Sequence, residues 1–148
     1  MTKGEEAKNY FLKGYSCSEA IVLAFKNLID IDEKKLVKIA SPFGGGMGRL
    51  RETCGAFSGI LLVLGYLYGE DKVDIKAKSQ LYQYVQELGA TFKSINGFLR
   101  CRDILGLKDK DDPSPSIRDA NYYQRRPCAQ IIENATNILD EFIKKHPI

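Results

Sequence analysis

The chain has one histidine, His146, set among its last residues. A Ser-His-Asp set needs an imidazole between its partners, so that chemistry is closed to this sequence. A solvated histidine beside the C-terminus offers no Cys-His pair either. Cysteines at CxxC spacing are missing, which removes zinc ribbons and thioredoxin-like motifs. The lack of CxxCH removes covalent c-type haem. The longest apolar run, Ala56 to Tyr68, falls short of the roughly 20 residues that span a bilayer. The opening MTKGEEAKNY has no apolar h-region, so no secretory signal is read. The glycines at 44–46 lack the Lys-Ser/Thr of a phosphate loop and follow Pro42 rather than a strand. Alternating apolar and polar positions are hard to find over even five residues, and there is no internal repeat. A net charge of +3 makes no case for nucleic acid. The expected setting is the cytoplasm, with neither nucleic acid nor a membrane as partner.

Helical periodicity is what remains. SCSEAIVLAFKNLI carries an apolar stripe from Cys17 to Leu28, and Ser16 with Glu19 forms a capping box. A short helix is expected over Glu33–Ala40, stopping before Pro42. Thr53 is placed to cap a nearly all-apolar helix with Cys54 in its first turn, which belongs at the centre of a core. Asp71 to Ile95 reads as a long amphipathic helix. A helical piece from Cys101 to Leu105 ends at Gly106. A last helix starts at Pro127, a favoured first-turn residue. The expected fold is all-α: one helical domain over residues 1–148, a bundle of about five to seven helices. The stretch from Leu107 to Arg126 is long and irregular, and Tyr122 and Tyr123 are placed to fasten it to the core.

The four cysteines, Cys17, Cys54, Cys101 and Cys128, are far apart. Each falls in the first turn of an expected helix and in phase with its apolar stripe. Helix N-termini carry partial positive charge and free N–H groups, which stabilise a thiolate. If successive helices alternate in direction, the helices that begin at Cys17, Cys54 and Cys101 point the same way. The irregular segment is long enough to return the chain, so that the helix of Cys128 begins at that end too. Six of seven arginines lie within five residues of a cysteine: Arg49, Arg51, Arg100, Arg102, Arg125 and Arg126. Guanidinium groups there would stabilise thiolates, a thiolate–metal cluster or an anionic ligand. Gly45 and Gly46 either admit a ligand or let the backbone approach another helix closely. Glu52 could act as a base beside Cys54, against the simpler reading of a solvated carboxylate.

The blocks GYSCSEAIVLAF and FGGGMGRLRETCGAFSGILLVLGYLYG, then one isolated cysteine and another before a terminal helix, resemble the C-GCAxxG-C-C family of redox-active proteins. The likeness runs from about Gly14 to Asn134. The family pattern falls on Cys17, Cys54, Ala56, Gly59, Cys101 and Cys128. The central element here reads Cys-Gly-Ala-x-x-Gly instead of Gly-Cys-Ala-x-x-Gly. The resemblance implies a redox or metal-linked role. Related sequence beside haem-binding modules in some cytochromes implies electron-transfer company.

Three readings follow. In the first, a small thiol redox protein works with an unknown redox partner, as a monomer or a homo-oligomer. Cys54 is then the reactive thiolate, activated by its helix N-terminus with Arg49 and Arg51, and another cysteine resolves it as a disulfide. In the second, four thiolates hold an iron–sulfur cluster or zinc. In the third, the cysteines are inert and the bundle is an interaction module.

Overall fold

The computed structural model describes residues 1–148, the side chains of Gln124 and Arg125 excepted. The fold is all-α. Among the described residues there are eight right-handed α-helices, a short left-handed turn over Gly44–Met47 and no strand: α1 (Lys3–Leu12), α2 (Cys17–Ala24), α3 (Glu33–Ala40), α4 (Gly55–Tyr68), α5 (Ile75–Asn96), α6 (Cys101–Leu105), α7 (Ala120–Arg125) and α8 (Cys128–Lys145). The capping box at Ser16 and Glu19 starts α2 as expected. The bounds of α3 and α6 also match. Helix α5 begins four residues after the expected start at Asp71, because the Asp74 carboxylate caps it by accepting from the amides of Lys76 and Ala77. Cys54, not Thr53, is the N-cap of α4, and Pro127 is the N-cap of α8. Helices α1 and α7 had no counterpart in the sequence reading.

Helix α2 packs on α1, α3, α4 and α8, and α4 packs on α8 and α5. The core between them holds fully buried Ile21, Phe25, Ile60, Leu64, Ile132 and Leu139. Burying such side chains contributes about 1.5–3 kcal/mol each. Two contacts set direction. Helix α5 runs back along α4, since Phe57 meets Phe92 at 5.5 Å and Tyr68 meets Tyr84 at 5.6 Å between ring centres. Helices α4 and α8 run the same way, since the Tyr68 hydroxyl donates to the His146 carbonyl at 2.7 Å while both N-terminal ends line one cavity. His146 is not simply solvated: its ring stacks on Phe142 at 4.1 Å.

Glycines bring the elements around that cavity into backbone contact. A Cβ on Gly59 would stand 3.0 Å from the Ile21 Cβ, and one on Gly55 3.2 Å from the Cys17 Cβ. The α2–α4 crossing is therefore closed by absent side chains at both positions. Among the described residues no helix is long and apolar enough to cross a membrane.

Candidate functional site

All four cysteines line one cavity of about 50 Å³, together with Arg51 and Tyr122. Each arrives by a different route. Cys17 and Cys128 open α2 and α8. Cys54 and Cys101 are brought alongside each other by an antiparallel bridge between Thr53 and Arg100. The Cys54 amide donates to the Leu99 carbonyl at 2.8 Å, and the Cys101 amide donates to the Glu52 carbonyl at 2.6 Å. All four thiols are free.

The glycine run shapes one wall. Gly45, Gly46, Met47, Gly48 and Arg49 have φ between 61° and 70°, so five residues in a row are left-handed, and Arg51 follows at 59°. For residues with a side chain this conformation costs about 1–2 kcal/mol each. Something must hold Met47, Arg49 and Arg51 there. Part of it is Asp111, whose carboxylate accepts from Arg51 Nη2 at 2.8 Å and pairs with Arg49 at 3.3 Å. At Gly46 a Cβ would collide with the Cys101 Cβ at 2.5 Å, so the turn presses its backbone directly on that cysteine.

The arginines divide into two groups. Arg51, 2% exposed, donates to the Cys101 sulfur at 3.4 Å. Arg126 lines the cavity and lies over the Tyr122 ring at 5.1 Å. Arg49, Arg100 and Arg102 turn elsewhere. Arg49 bonds the Asp112 carbonyl and the Ser116 hydroxyl, and Arg102 and Arg100 pair with Glu52 at 2.6 and 3.5 Å. Glu52 is thus an ion-pair partner. The side chain of Arg125, expected beside Cys128, lies outside the described residues. Two participants were not found from sequence. Asp111 sits in an acidic run inside the irregular segment. Arg118, the one arginine remote from any cysteine in sequence, donates to the Phe11 and Tyr15 carbonyls and lies over the Phe11 ring at 4.4 Å. The only signal for either was the length of the irregular segment that carries them.

The sulfurs are not equivalent. Interaction with the Cys17 thiol holds the Cys128 sulfur down at about 7 against burial, with Arg126, Arg51 and Arg118 adding positive charge. The same interaction, with burial, pushes Cys17 well up. Cys54 is pushed up to about 12 by burial, which outweighs the nearby amides of Ala56 and Phe57. Cys101 is also raised by burial, with Arg51 pulling the other way. The thiol held down is thus Cys128, through Cys17 and the arginines, and not Cys54, where burial outweighs the amides of the helix N-terminus.

An all-helical protein with four free thiols around one arginine-flanked cavity defines a class of single-domain cysteine proteins. The chain belongs to the family described as "Putative redox-active protein (C_GCAxxG_C_C)", whose model matches residues 15–142. Neither the curated proteins nor the solved structures include a match to it.

Proposed function

We propose that the protein is a thiol–disulfide redox protein whose working couple is Cys17 and Cys128. The observation that carries this reading is that Cys17 and Cys128, each opening a helix, line one small cavity flanked by Arg51 and Arg126. It gathers a nucleophile and a resolving thiol at one cavity before any oxidant arrives. Cys128 attacks a disulfide sulfur, forming a mixed disulfide and releasing one thiolate. Cys17 then gives up its proton and attacks the Cys128 sulfur, closing the Cys17–Cys128 disulfide and releasing the second thiolate. Cys101 and Cys54 serve as the wall behind the couple.

Oxidising the reduced protein with the neutral reagent 2-hydroxyethyl disulfide and mapping the cross-linked peptides tests this. A reversible Cys17–Cys128 bond is expected, retained in Cys54→Ser and lost in Cys17→Ser and Cys128→Ser. A different pair, or oxidation indifferent to Cys17, overturns it.

The shared cavity keeps a second reading in view, in which all four thiolates hold zinc or an iron–sulfur cluster. The donors suit either group. Among the described residues, however, no three Cys, His, Asp or Glu side chains are grouped to hold a metal ion. Equal loss of bound metal in all four serine variants would put this reading first.

A further inference from the structure

A second cleft of about 270 Å³ opens beside the cysteine cavity, and the two share Gly45, Arg51, Tyr122 and Arg126 in their walls. Its own wall adds Arg49 and Arg118, with Ser16 and Ser116. Four arginines thus line one small cleft that, among the described residues, no carboxylate lines. Asp111, behind the wall, pairs with Arg49 and Arg51 and offsets one of the four charges. Arg118 is held by carbonyls and Arg126 by an aromatic face, so among the described residues neither is neutralised by an acid. Even with a thiolate at Cys128 the neighbourhood keeps an excess of positive charge. Arginine is suited to carboxylates because its planar fork matches their two oxygens. The cleft has room for an acid-bearing arm of a ligand rather than a whole cofactor.

We propose that this cleft receives the carboxylates of a small anionic disulfide and delivers its sulfur to the Cys17–Cys128 couple. The proposal rests on the dithiol reading above and names its substrate class. One sulfur of R–S–S–R bonds to Cys128 while the S–S bond breaks and RS⁻ leaves. Cys17 loses its proton and bonds to the Cys128 sulfur, and the second RS⁻ departs. The dithiol is oxidised to a disulfide, and R–S–S–R is reduced to two thiols, which take up the proton of Cys17 and one from water. The arginines offset the repulsion between an anionic reagent and the Cys128 thiolate, which a neutral reagent does not meet.

The test compares three disulfides on the full chain: glutathione disulfide (anionic), 2-hydroxyethyl disulfide (neutral) and cystamine (cationic). The ratio of the anionic to the neutral rate is read within each variant, so changes in thiolate reactivity cancel. Wild type should favour the anionic reagent, and added salt should erode the preference. Arg126→Gln and Arg118→Gln should each lower the ratio roughly fivefold, with Arg126→Lys keeping part of it. Equal ratios in wild type and variants, or preference for cystamine, overturn the proposal and leave the dithiol reading standing. If no disulfide oxidises the couple, the dithiol reading fails. Calorimetric binding of S-methylglutathione, which cannot exchange, then decides the cleft: binding lost in Arg118→Gln supports an anion site, and no binding overturns it.

Discussion

Arg51 bonds the Cys101 sulfur with one nitrogen, at 3.4 Å, and the Asp111 carboxylate with two others, at 2.8 and 3.1 Å. A buried cation thus ties one thiol to a segment sixty residues further on. Arg51→Met removes both partners at once and should destabilise the fold by about 3 kcal/mol in urea titration. It should also raise the Cys101 thiol further, because Arg51 pulls it down now. A loss below about 1 kcal/mol would mean that the contact does not bear on the fold.

Alkylation at neutral pH, followed by peptide mapping, should label Cys128 first and Cys54 among the last. The order follows from a sulfur held at about 7 in one case and pushed to about 12 in the other. Fast labelling of Cys54 would return the nucleophile to the position that its helix N-terminus first indicated.

The same two thiols shape stability against pH in opposite senses. Cys128, depressed from 9.0 to about 7, is more protonated in the unfolded chain between those values, so it makes stability rise with pH there. Below about 7 that contribution is lost. Cys54, raised from 9.0 to about 12, keeps its proton in the folded state, so above 9.0 it makes stability fall. Cys17, also raised, adds to the fall. Cys17, Arg126 and Arg51 in the cavity and Arg118 in the neighbouring cleft belong to the titration of Cys128. Denaturation series on Cys128→Ser should lack the rise, and those on Cys54→Ser should show a shallower fall. An unchanged rise in Cys128→Ser would assign it to another group.

Gly46→Ala should cost about 3 kcal/mol or more, since it adds a clash with Cys101 at 2.5 Å to a left-handed backbone. Gly106, left-handed at φ +71° with nothing near its Cβ position, is the control: Gly106→Ala carries only the backbone strain, about 1–2 kcal/mol. Equal losses by thermal denaturation would show that the turn yields to the added methyl.

Met47 is 38% exposed and left-handed at φ 66°. Met47→Gly should therefore leave stability unchanged or raise it by up to about 1 kcal/mol, against the usual sign of a glycine substitution. A lower melting temperature would mean that the side chain carries a contact worth more than the strain.

Local signals in the sequence were reliable where the physics is local. Ser16 and Glu19 cap their own helix, and Gly106 ends one in left-handed geometry at φ 71°. Alternation placed α2 and α4 the same way, as Gly55 on Cys17 and Gly59 on Ile21 bear out, and the long irregular segment returned α8 to that end. Helix α1 escaped because only Gly4, Ala7 and Phe11 of its ten residues are buried, a stripe too thin to stand out from polar sequence. The meeting of Cys17 and Cys128 at one cavity and the bonds of Arg51 to Asp111 and Cys101 join distant segments, and no periodicity reports on that. At Cys54, depth in the core competes with the helix amides, and depth cannot be read from spacing.

Gly46, Gly55 and Gly59 place backbone against Cys101, Cys17 and the turn that follows Cys17, with no side chain acting as spacer. Cys17 and Cys101 are therefore located by main-chain contacts rather than by the fit of neighbouring apolar groups. Two properties that usually change together are separable here. An engineer could redesign the interior around Ile132 and Leu139 for a thermally tougher scaffold and leave the reactive centre in register, whereas one methyl at any of the three glycines would shift it.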